Sequence, residues 1–167
     1  MRPLRRTSAP DLVVGPGERV LAWCRTVDDG VLAGTRDALY LDMAGDVTRI
    51  PWEQVEAADW DADTDMLRVS LVGTWGEQRI EHDLELTEPG RLLELVRERV
   101  TASVVLQRHV PLAGRRGVRV IGRRAPRGNA PIEWFYEYDE GVDPADPAVR
   151  SAAAEALVAA RGDVGLA

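Results

Sequence analysis

The side chains best suited to chemistry are few and far apart in this sequence, with one arginine-rich exception. His82 and His109 stand 27 positions apart, and no HxxxH, HExxH or CxxC spacing surrounds either of them. The nitrogen and sulfur donors of a zinc centre therefore do not gather along the chain. His82 alternates with Ile80, Leu84 and Leu86, and is expected to share their buried face as a hydrogen-bonded histidine rather than a catalytic base. Cys24, the single cysteine, has no thiol partner and lies in a strand-like run, where a small buried hydrophobe is the expectation.

Asp59, Asp61, Asp63 and Asp65 offer oxygens at alternating positions, as a hard cation requires. The run lacks the central glycine and terminal glutamate of a calcium loop, and Trp60 and Met66 flank it as strand ends would. A solvated hairpin turn is expected instead. Gly114-Arg-Arg-Gly117 is too short to cradle a phosphate and follows no strand-to-helix step. No serine, threonine or cysteine is grouped with a base, so no catalytic residue, metal or cofactor is assigned. The expectation is a non-enzymatic protein.

The exception is the basic block. Residues 100–132 hold 7 arginines and no acid, between flanks of net charge −8 and −6, in a chain of net −7 without a lysine. The absence of lysine is explained most simply by codon composition. Arg115, Arg116, Arg119, Arg123, Arg124 and Arg127 carry guanidinium forks that suit phosphate or carboxylate, and Trp134, Phe135 and Tyr136 follow closely enough to stack on bases. The competing reading is that Arg119 and Arg123 are consumed by Glu137 and Glu133 across a hairpin. An acidic chain as a whole disfavours nucleic acid and anionic membranes as partners.

The elements that must position these residues follow from the pattern. Residues 1–14 are basic and without periodicity, which suggests a flexible arm. Short runs at 19–25, 31–35, 38–42, 47–50, 56–61, 66–72 and 78–86 alternate apolar and polar residues between Gly and Asp turns, including Gly73 to Gly76, and predict an antiparallel sheet. Pro51 to Val55 reads as one helical turn or a corner. Thr87 is a candidate N-cap for a helix over 88–104 with Leu92, Leu93, Val96 and Val100 on one face. Val104 to Val110 is a candidate strand, and Val118 to Arg124 and Ile132 to Tyr138 form a hairpin that sets Arg123 opposite Glu133, Ile121 opposite Phe135 and Arg119 opposite Glu137. Asp146 and Pro147 open a last, alanine-rich helix that stops at Gly162. The fold class is α+β: a seven-strand antiparallel barrel capped by a helix over 15–104, then a strand-strand-helix extension over 105–167.

Gly17 to Arg25, Leu32 to Leu41, Arg49 to Asp61 and Tyr138 to Pro147 resemble a group of uncharacterised actinobacterial proteins similar to bacterial pleckstrin-homology-like (PH-like) and GRAM-like domains. The resemblance implies a two-sheet, seven-strand barrel closed at one end by a helix, in a scaffold or binding module. Phosphoinositide binders of that kind place basic residues in the first hairpin loop. Thr26-Val-Asp-Asp-Gly30 is acidic there, which argues against phosphoinositide or membrane binding.

The sequence reading is thus a cytoplasmic, PH-like protein-interaction module, since the N-terminus lacks a signal peptide's apolar stretch. The extension packs on the barrel or on a second copy of the chain, because the Trp134, Tyr136 and Tyr138 face needs cover. The alternative is an accessory protein that binds nucleic acid or an anionic ligand with Arg115 to Arg127. Single-stranded oligonucleotides separate the two. Nucleic-acid binding predicts affinity that falls with added salt and with Arg115→Ala plus Arg116→Ala, whereas the scaffold predicts no binding in a fluorescence-anisotropy titration.

Overall fold

A computed structural model describes residues 8–74 and 77–166, so the expected turn at Gly73 to Gly76 and the start of the expected arm lie partly outside the described residues. The chain divides into two compact units, residues 1–101 and 102–167. In the first, β1 (Ala22–Thr26), β2 (Val31–Gly34), β3 (Ala38–Met43) and β4 (Asp46–Pro51) form a meander, and a 3-10 turn at Trp52–Gln54 leads into β5 (Val55–Asp61), β6 (Met66–Leu71) and β7 (Glu81–Thr87). All neighbours are antiparallel, in the order β4-β3-β2-β1-β7-β6-β5. The two meanders meet where β1 pairs with β7, at Arg25 with Thr87 and Thr26 with Leu86. The sheet is curled, with β4 and β5 as its edges, and among the described residues no ladder joins those edges into a closed barrel.

Alternation decides which residues enter the core. Leu67 and Val69 on β6, and Leu84 and Leu86 on β7, are buried. Between them Arg68 and Asp83 face each other on the outer side, 2.7 Å apart. The buried set joins Leu32, Leu39, Ile50, Trp52 and Val55 with Leu92 and Val96 of α1 (Leu92–Ser103) in one cluster. Each fully buried aliphatic side chain contributes about 2 kcal/mol. His82 is half-buried in register with Val69, but Ile80 precedes the strand and is 60% exposed, so it does not share the buried face expected of it.

The helix starts later than the sequence suggests. Thr87 is the last residue of β7 and pairs with Arg25, and Glu88 and Gly90 both have φ of 50°, outside the helical region, so Thr87 does not cap α1. At Gly34 a Cβ would lie 2.6 Å from Leu95 Cδ2 and 3.5 Å from Leu92 Cδ1, so the glycine leaves the space over β2 that the Leu95 side chain of α1 occupies.

The second unit contains three strands, β8 (Val104–Ala113), β9 (Arg116–Arg123) and β10 (Glu133–Tyr138), and α2 (Pro147–Asp163). The expected strand-strand-helix extension is therefore a three-strand sheet, order β10-β9-β8, with a helix. The third strand arises because Val104 to Ala113, which begins directly after α1, pairs with β9 along its length. The β9–β10 register is the one its charges dictate: Arg123 with Glu133, Ile121 with Phe135, Arg119 with Glu137. Asp146 Oδ1 accepts the Ala148 amide at 2.7 Å and Pro147 opens α2. The helix passes Gly162, and Gly165 takes the left-handed φ of 75° that ends the turn.

A buried carboxylate ties the start of the first unit to its sheet. The Glu18 side chain is 5% exposed and lies 2.7 Å from Arg49 Nη2. It accepts hydrogen bonds from Thr35 Oγ1 at 2.6 Å and from the Tyr40 hydroxyl at 3.0 Å. Burial pushes the carboxyl up, but the bonds from Thr35, Arg49 and Tyr40 outweigh it and leave Glu18 below its ordinary value of 4.5. A lowered value stabilises the fold above the unfolded carboxyl's pKa, and that contribution disappears as pH falls through the folded value. Glu18→Gln should therefore cost about 1–2 kcal/mol at pH 7, at the low end because Arg49 is partly solvated. Urea unfolding should find the variant and the parent closer in stability near pH 3 than at pH 7.

Candidate functional site

The six arginines do not converge on one patch. Arg115 stands at the exposed tip of the β8–β9 turn, and Arg116 lies beside Gly141, where an added Cβ would approach its Nη1 to 2.9 Å. Arg119 and Arg123 project from the opposite face of β9. Arg119 holds Glu137 at 2.9 Å, and Arg123 is 5% exposed and donates to Ser103 Oγ at 3.1 Å. Arg127, in the β9–β10 loop, is exposed and also engaged. The reading that Arg119 is consumed across the hairpin holds, and Arg123 is buried inside the unit.

Arg124 is different. It directly follows β9 and lines a cavity of about 430 Å³ together with Asn129, Ala130, Pro131, Ile132, Trp134, Arg161, Val164 and Leu166. Two arginines line this cavity, and among the described residues no Asp or Glu does. Of these, Arg124 and Trp134 were legible as candidates, but Arg161 was not, because it lies 37 positions beyond Arg124 on α2.

Local packing places the tryptophan. Trp134 pairs with Gly122, and a Cβ on Gly122 would lie 2.9 Å from Trp134 Cζ3 and 3.0 Å from Ile132 Cγ2. The missing side chain is the space the indole occupies. Trp134 also packs against the cluster of Val120, Ala156 and Ala160, so α2 contributes to the cover of the indole. Tyr136 stays 39% exposed. Burial pushes its hydroxyl up and Tyr138 adds to this, while the charge of nearby Arg161 pulls it back.

The outer face of the same sheet is held by a carboxylate. Asp139 Oδ2 lies 2.8 Å from His109 Nε2 and accepts the Gly117 amide at 2.7 Å. Those two bonds, the His109 contact foremost, hold Asp139 below the usual carboxylate range. His109 thus fastens β8 to the end of β10.

The first unit carries a second concavity, about 400 Å³, between α1 and strands β5 and β6. Trp60, Leu67, Leu93, Val96 and Val100 give it an apolar wall, and Asp59 and Arg97 also line it. Cys24 is buried and its thiol is pushed up to about 11 by that burial, so it is a packing residue at neutral pH. The aspartate run forms the β5–β6 turn, with the Asp63 amide on Asp61 Oδ1 at 2.9 Å. Among the described residues no group of three or more His, Cys, Asp or Glu could hold a metal ion, and no helix is long and apolar enough to cross a membrane.

The chain matches no known protein family, no curated protein and no solved structure.

Two glycines of β9 should respond differently to a methyl group. At Gly117 a Cβ would overlap the Val110 carbonyl oxygen, which is backbone and cannot yield, whereas at Gly122 the obstacle is the Trp134 ring. Gly117→Ala should cost about 3 kcal/mol by urea unfolding, and Gly122→Ala about 1 kcal/mol with a displaced Trp134 indole resonance in two-dimensional NMR.

Proposed function

We propose that the first unit is a PH-like scaffold that acts without catalysis as a protein-interaction module, taking an extended peptide beside β5. The strand order β4-β3-β2-β1-β7-β6-β5, with one helix following the last strand, supports the PH-like assignment. The observation that carries the peptide reading is the coincidence of an edge strand with the groove next to it. Among the described residues no strand pairs with the outer side of β5, so the backbone of Ala57 to Asp61 forms a template for one more strand.

The groove sets the chemistry of the occupant. Trp60, Leu93, Val96 and Val100 favour an apolar side chain, while Asp59 and Arg97 offer a charge of each sign to residues beside it. Alternate side chains of an added strand would point into the groove and away from it, so an apolar residue at every second position is the natural partner. No nucleophile, base or metal is needed for this role.

Selection of a phage-displayed random peptide library on the full chain tests the reading. Enriched peptides should alternate apolar residues, shift amide resonances of β5 and α1, and lose at least about tenfold in affinity on Thr101→Trp, which obstructs the exposed rim without entering the core. No enrichment, or enriched peptides whose shifts map away from β5, would overturn it.

A further inference from the structure

The cavity of the second unit is independent of that groove and has the opposite character. We propose that it binds a small phosphate monoester carried on a planar ring, of nucleoside-monophosphate size, with Arg124 and Arg161 on the phosphate and Trp134 against the ring.

Charge is the first argument. In a chain of net −7 with 28 acidic residues, a concavity lined by two arginines and, among the described residues, by no Asp or Glu is an exception that favours an anion. The nearby acids are directed elsewhere. Glu137 is on Arg119, and Asp163, two residues from Arg161 on α2, is drawn to Arg108 at 3.0 Å. A helix C-terminus normally opposes an anion through its unpaired carbonyls. Here the Arg161 carbonyl already accepts the amides of Val164 at 3.3 Å and Leu166 at 2.8 Å, which blunts that effect.

Shape and charge count narrow the ligand. About 430 Å³ lies within the usual range for small-molecule sites, roughly 300–1,000 Å³, and is too small for a folded partner. Two arginine forks match the charge of a phosphate monoester, about −1.5 to −2 at pH 7, better than that of a single carboxylate. Trp134 is held in place by Gly122 below it and by the Val120 cluster, so a flat ring can stack on it without reordering the wall. Ile132, Val164 and Leu166 supply apolar contacts for the remainder of the ring system, and Asn129 a side-chain amide.

The same chemistry could be presented by a free nucleotide or by the 5′ end of a nucleic acid, and the test separates them. The full chain is titrated by calorimetry and two-dimensional NMR with 5′-AMP, adenosine, inorganic phosphate and a 5′-phosphorylated single-stranded oligonucleotide. The expected result is that 5′-AMP binds, moves the Trp134 indole resonance, and exceeds adenosine and phosphate by about tenfold or more each. Arg124→Gln and Arg161→Gln, both at exposed positions, should each weaken 5′-AMP by about tenfold, with unchanged circular dichroism. Arg115→Ala with Arg116→Ala, outside the cavity, should leave it unaltered. Absence of 5′-AMP binding at millimolar concentration overturns the proposal, as does binding indifferent to both glutamine variants. Binding of the oligonucleotide alone, abolished by the Arg115 and Arg116 changes, would overturn it in favour of a nucleic-acid surface. Peptide binding at β5 is read by different resonances, so the two readings fail separately.

Discussion

Thr35 and Trp52 hold the first unit to a single arrangement. Both are wholly buried, and the Trp52 indole nitrogen must find an acceptor inside; it donates to the Thr35 carbonyl at 3.0 Å. The Thr35 hydroxyl accepts the amides of Asp37 and Ala38, each at 3.1 Å, which shapes the β2–β3 turn, and reaches Glu18 at 2.6 Å. An unsatisfied buried indole or hydroxyl costs about 1–3 kcal/mol, so the turn, the corner after β4 and the segment before β1 are fixed together. Gly34, next to Thr35, then admits α1 onto the sheet, with Leu92 and Leu95 against it. The groove beside β5 exists because α1 settles there: Leu92 and Val96 enter the core, while Leu93 and Val100 remain at its margin.

The second unit is held by different means. Its helix buries only alanines, Ala153, Ala156 and Ala160, which contribute little apolar area but allow a close approach to the sheet. Specificity comes instead from side-chain clearance and charge. Gly122 receives the Trp134 ring, Gly117 lies against the Val110 carbonyl, and Asp139 joins His109 to the Gly117 amide. Arg108 with Asp163 links β8 to the last turn of α2. Because these pairs absorb so many charges of the unit, Arg124 and Arg161 stand out as the guanidiniums that share a cavity.

Much of this was legible in the sequence, and for identifiable reasons. The alternation of Leu67, Val69, Leu84 and Leu86 with Arg68, Asp83 and Glu85 specifies half-buried antiparallel strands, since a shift of one residue would bury the charges. Opposed charges at Arg119 and Glu137, and at Arg123 and Glu133, set the hairpin register residue by residue. Asp146 and Pro147 specify the start of α2 through local hydrogen bonding and a fixed φ. Each of these signals is contained within a few residues or within one strand pair.

What lay beyond the sequence depends on contacts between distant segments. Thr87 has the chemistry of an N-cap, but pairing with Arg25 draws it into β7, and two positive-φ residues then delay the helix to Leu92. Val104 to Val110 reads as a strand by itself, but its extension to Ala113 and its pairing depend on the edge that β9 presents to it. The six arginines form one basic block in the sequence, yet the pleat sends them to opposite faces and a loop, and the fold places Arg124 in one cavity with an arginine from α2. The sequence by itself determined the strands, the hairpin register and the charge segregation, because these follow from periodicity and local chemistry. The tertiary structure decided which charges are consumed and which two arginines line one cavity, because burial and proximity are properties of the folded chain.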